Sequence, residues 1–120
     1  MSRATLVASV ALTIFAATAS EGWTKEKVAY CQIESAGLPP FRGKCLFDGS
    51  SDGSFHLGNV DSSKPLFGDI DLIDVAIVSP GVAEVRGLTR AGINSRWGEA
   101  HRSAGDRACW AGVDFRICAY

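Results

Sequence analysis

The chain has 120 residues, a net charge of −1 and only 21% charged residues. That length suits one domain and one core. The near-neutral balance lacks the basic excess of a nucleic-acid binder.

The first segment, Met1–Ala19, carries Arg3 as its single charge. An apolar run from Ala4 to Phe15 follows, then the small-x-small triplet Ala17-Thr18-Ala19. This is the layout of a signal peptide, with cleavage expected after Ala19. The run is shorter than the roughly 20 apolar residues of a membrane span, so the mature chain is expected to contain none. No cysteine directly follows the run to accept a lipid. Without Arg3 the mature net charge becomes about −2. Ser20–Lys27 reads as a flexible N-terminal segment, and 28–120 as a single domain.

Four cysteines, Cys31, Cys45, Cys109 and Cys118, all lie in the exported part. An even count in a short exported chain implies disulfides. Of three possible connectivities, Cys31–Cys45 with Cys109–Cys118 is expected. Each of these pairs flanks turn-forming sequence that brings neighbouring strands together. A C-x-x-C motif is absent, which argues against zinc and against a thioredoxin-like redox centre.

Val28–Glu34 alternates, with Cys31 and Ile33 on one face and Gln32 and Glu34 on the other. Lys44–Asp48 places Cys45 and Phe47 together. The dense turn Asp48–Gly53 leads to Ser54–Leu57, where Phe55 and Leu57 share a face. These segments predict a three-strand meander. After a polar loop over 59–68, the β-branched run within Asp69–Ser79 predicts a central strand with both faces at least partly covered. Ser79-Pro80-Gly81 turns into a strand over Val82–Thr89, with Glu84 and Arg86 on its solvent face. Ile93–Arg102 reads as a strand or as one or two helical turns. A last hairpin carries Cys109 and Cys118. Short strands with turn signals every 8–12 residues mark an all-β fold. The expectation is a disulfide-stapled antiparallel sandwich or barrel of about seven strands.

Charge is unevenly spread. Leu46–Glu84 has seven acids and one base, whereas Val85–Tyr120 has six arginines, no lysine and three acids. Strand alternation would put Trp97, Glu99 and His101 on one face, with Arg96 and Arg102 on the other. Glu99 beside His101 is then the candidate catalytic pair for a small secreted hydrolase, acting as acid and base. His56 falls opposite the Phe55/Leu57 face, as a surface residue. Ser54 lacks a nucleophile elbow around it. Asp69, Asp71 and Asp74 match no calcium loop. No metal or other cofactor is therefore expected.

Binding is better supported than catalysis. Trp, Tyr and Arg are enriched at interface hot spots, and arginine suits planar contacts to carboxylates and phosphates. Arg96, Trp97, Arg102, Trp110 and Arg116 form the candidate binding surface. The expected function is a secreted or periplasmic binding or inhibitor-type module for a protein or an anionic envelope ligand. The alternatives are the Glu99/His101 hydrolase and a non-catalytic structural envelope protein.

Overall fold

The computed structural model describes residues 26–120. The expected leader and most of the flexible segment lie outside the described residues. Among those described there are eight strands and no helix: β1 (Lys27–Ser35), β2 (Phe41–Gly49), β3 (Phe55–Gly58), β4 (Ile70–Ser79), β5 (Val82–Thr89), β6 (Asn94–Arg102), β7 (Cys109–Ala111) and β8 (Phe115–Ala119). Each pairs antiparallel with the next, and β8 returns to β1, closing a barrel. This decides between sandwich and barrel, and adds one strand to the expected number. The ambiguous Ile93–Arg102 stretch is strand throughout Asn94–Arg102.

Closure depends on the C-terminus. Ser35 faces Phe115, Ile33 faces Ile117 and Cys31 faces Ala119. Beyond the last strand, the Tyr120 amide donates to the Tyr30 carbonyl (2.9 Å) and the Tyr30 amide to the Tyr120 carbonyl (3.3 Å). Closing the sheet removes its edges.

Every second residue turns inward. Ile33, Leu57, Ile73, Val75, Val85, Ala83, Ala100 and Ile117 are fully buried in the core, and no polar or charged residue among those described is buried. An eight-stranded barrel has an interior that side chains can just fill. Both expected disulfides are present, Cys31–Cys45 and Cys109–Cys118. The first lies within the core cluster. The second joins directly opposed residues of β7 and β8. Its Cys109 Sγ lies 3.6 Å from the Tyr120 hydroxyl. Two intramolecular disulfides suit an oxidising, extracytoplasmic environment.

One expectation about β6 fails. Gly98 faces Val85 and Arg96 faces Arg86, leaving Trp97 as the extra residue of a β-bulge. Gly98 has φ +119°, a left-handed value that glycine tolerates and other residues resist. The bulge resets the alternation, so Trp97 does not share a face with Glu99 and His101. Trp97 turns inward and packs edge-on against Phe67 (6.2 Å) and Phe115 (5.6 Å). The glycine at position 87 leaves room for its indole: a Cβ there would stand 2.9 Å from Trp97 Nε1.

The barrel has two ends. One holds the 35–41, 58–70, 89–94 and 111–115 connections, and Trp97 plugs it. The other, called the mouth below, holds the 49–55, 79–82 and 102–109 connections, the start of β1 and the end of β8.

Candidate functional site: an aromatic and cationic mouth

Alternation along β6 after the bulge turns Ala100 and Arg102 inward. Ala100 sits in the core, and Arg102, one step further along, reaches the mouth. The β6–β7 register sets Arg102 opposite Trp110. Trp110 is itself inward-facing and only 2% exposed. The guanidinium therefore lies over the indole, its carbon 4.6 Å from the ring centroid. This is cation–π distance, and the guanidinium keeps further N–H groups besides the one bonded to the Arg107 carbonyl to offer an anion.

Around this stack, Phe47, Gly53, Phe55, Arg107, Ala108 and Ala119 complete a slot of about 160 Å³. Phe47 and Phe55 stack on each other with centroids 5.0 Å apart. Lys27, the first residue of β1, places its ammonium 5.3 Å from the Phe47 ring centroid. Barrel mouths are common places for small-molecule sites, and this one mixes aromatic side chains with two arginines.

Two short loops shape the slot. In the β2–β3 turn, the Ser54 amide donates to Asp52 Oδ1 (2.8 Å), while Ser54 Oγ accepts from the Ile77 amide (2.9 Å). Ser54 is thus a turn anchor, and Gly53 beside it lines the slot. In the β6–β7 loop, the Ser103 amide donates to the Cys109 carbonyl and the Cys109 amide to the Asp106 carbonyl, both at 2.9 Å. Asp106 accepts from the Ala108 amide (3.1 Å) and from the Tyr120 hydroxyl. Its carboxylate is committed to holding the loop. Among the described residues, no carboxylate stands within ion-pair distance of Arg102 or Arg107. Among the described residues, the one side-chain hydrogen bond of Arg102 goes from Nη1 to the Arg107 carbonyl, at 3.3 Å.

The Asp106–Tyr120 bond has a pH signature. The Tyr120 hydroxyl, followed by the Ala108 amide, holds the Asp106 carboxyl below its ordinary 3.8. The bond to Asp106, followed by loss of solvent, raises the Tyr120 phenol above its ordinary 10.0. A lowered acid stabilises the fold above its ordinary pKa, and that contribution fades as pH falls through the folded value. A raised phenol stabilises below its ordinary pKa, with the contribution lost as pH rises through the folded value. The bond therefore acts between those limits. Tyr120→Phe is expected to lower the melting temperature at neutral pH, with the gap to wild type shrinking in both acid and strong alkali. Thermal melts across pH check this; a gap independent of pH would refute it.

The other candidate residues do not converge here. Glu99 and His101 do meet, with His101 Nε2 3.1 Å from Glu99 Oε1. Both are exposed on the outer wall, and neither lines the slot. Arg96 faces outward too, bonded to Glu84, whose carboxyl it holds down. A charged row runs across this wall in register: Asp48, His56, Asp74, Arg86, Arg96. His56 Nε2 is 2.9 Å from Asp74. Arg116 borders a larger groove of about 550 Å³ at the opposite end, where Glu34 and Asp114 also sit. Of the five binding candidates, the structure unites only Arg102 and Trp110. The residues that join them, Lys27, Phe47, Phe55 and Arg107, escaped sequence reasoning. Alternation grouped Phe47 with Cys45 and Phe55 with Leu57, but nothing in the sequence said that they share an end with Trp110.

No known protein family, curated protein or solved structure matches the chain.

Proposed function

We propose that the protein is a small exported binding module that works outside the cytoplasm. Its mouth takes a carboxylate- or phosphate-bearing group of a protein or cell-envelope ligand. The observation that carries this reading is the Arg102 guanidinium, stacked on Trp110 beside Arg107 and without an acidic partner among the described residues. Two arginines of the wall are held by acids instead: Arg90 bonds Asp71 (2.7 Å) and Arg96 bonds Glu84. A charge-assisted bond from an ordered guanidinium is roughly twice as strong as a neutral hydrogen bond. The leader-like N-terminus and both disulfides support an exported setting.

Titrating the oxidised protein with acetate and with inorganic phosphate, followed by NMR of the Arg102 side-chain N–H and the Trp110 indole N–H, tests the reading. Saturable shifts at both groups are expected, weakening as sodium chloride screens the charges. The double variant Arg102→Gln/Arg107→Gln should reduce binding by at least tenfold. Equal shifts in the wild type and this variant would remove the mouth as the site.

A further inference from the structure

Taking the mouth as the anion site, we infer that its ligand pairs a single flat ring with a carboxylate on it or a few bonds away: an aryl acid, or the aromatic C-terminal residue of a polypeptide. Three features point there. The first is size. A cavity of about 150 Å³ holds one benzene, and the slot is about 160 Å³. It has room for one ring and little more.

The second is the lining. Phe47, Phe55 and Trp110 all border the slot, the partly exposed Phe47 backed by the buried Phe55 and Trp110, and the Phe47 and Phe55 rings lie within 22° of parallel. Aromatic rings meet well in offset-stacked or edge-on contacts at centroid distances of 4.5–7 Å. An aliphatic chain of the same volume would gain the burial but not that geometry.

The third is where the charge stands. The Arg102 guanidinium stands over Trp110, its carbon 4.6 Å from the ring centroid, and Arg107 lines the same slot. A ring stacked inside would bring its substituent to this cationic rim. A guanidinium edge matches a planar carboxylate with two parallel N–H···O bonds. Phosphate sites commonly add backbone amides from a helix N-terminus or a glycine-rich nest. The described residues contain no helix, so a flat carboxylate is the better match.

The test compares acetate, benzoate, benzamide, cyclohexanecarboxylate and N-acetylphenylalanine on the oxidised protein, with the Trp110 indole N–H as reporter. Benzoate or N-acetylphenylalanine should bind at least tenfold tighter than acetate, and benzamide, a ring without charge, at least tenfold weaker than benzoate. Cyclohexanecarboxylate, a puckered ring with the same charge, should fall between benzoate and acetate. Whichever of benzoate and N-acetylphenylalanine binds tighter tells a free aryl acid from a chain terminus. Arg107→Gln, at an exposed position that should not affect folding, should weaken both. If acetate binds as well as benzoate and N-acetylphenylalanine, the ring is wrong while the anion site stands. If no carboxylate binds at the mouth, this inference falls, and if inorganic phosphate does not bind there either, the anion site falls with it.

Discussion

Trp97→Ala is expected to lower the unfolding free energy by about 3 kcal/mol or more, within the range for a large aromatic lost from a core. The indole fills the end of the barrel opposite the mouth, touching Phe67 and Phe115. Its removal forfeits that burial and both edge-on ring contacts. Simple strand alternation predicts something else. A Trp97 sharing a face with the exposed Glu99 and His101 would change stability by only about half a kcal/mol on truncation. The measured value thus reports directly on the bulge at Trp97–Gly98. Gly87→Ala supplies an independent reading. A Cβ at that position would lie 2.9 Å from Trp97 Nε1 and 3.1 Å from Ile70 Cδ1. Overpacking of this kind costs typically 1–3 kcal/mol. With Ala at position 97 the obstruction is largely gone, so the Gly87→Ala penalty should shrink in the double variant, a coupling between neighbours. Denaturant unfolding of the four proteins completes the cycle. Additive penalties would place Trp97 away from Gly87 and overturn the inward assignment.

What could be read from the sequence was local. Alternation grouped Cys31 with Ile33, Cys45 with Phe47 and Phe55 with Leu57 on shared faces, and the structure turns each of these faces inward. The disulfide pairing followed from the turns each pair encloses. Three features were not local. Closure needs β8 to find β1 across nearly the whole chain, and no residue in either strand announces that partner. The bulge had only a faint signal, a glycine inside a strand pattern, and one extra residue reverses the facing of everything on one side of it. That single step turned Trp97 inward against the core and left Glu99 and His101 on the wall. The mouth is a product of both effects. Arg102 faces inward because of the bulge, and it meets Phe47 and Phe55 because the barrel closes. Arginine enrichment toward the C-terminus was real, but most of it is wall charge, as the Arg96–Glu84 pair illustrates.

The two disulfides should fail in different ways when removed. Replacing Cys31 and Cys45 with alanine is expected to cost about 2–4 kcal/mol of global stability. This bridge encloses the longer loop, with a separation of 14 residues, and it lies in the core, so its loss combines a freer unfolded chain with poorer packing. The Cys109–Cys118 bridge spans only 9 residues, and loop entropy changes slowly with length, so that difference alone is worth well under 1 kcal/mol. Position matters more. β7 is three residues long and meets β6 through only two register pairs, His101–Ala111 and Arg102–Trp110. The second bridge is what clips this short strand to β8, and β7 carries Trp110. Without it, β7 should open locally at much lower free energy than the rest of the barrel. Hydrogen exchange separates the two outcomes. Cys31→Ala/Cys45→Ala should accelerate the slowest core amides of β1, β4 and β5. Cys109→Ala/Cys118→Ala should leave those amides nearly as slow, accelerate β7 selectively, and loosen the Arg102–Trp110 stack, weakening acetate binding at the mouth. If losing the second bridge speeds exchange uniformly, β7 is an integral stave of the barrel, and the mouth is as rigid as the core that supports it.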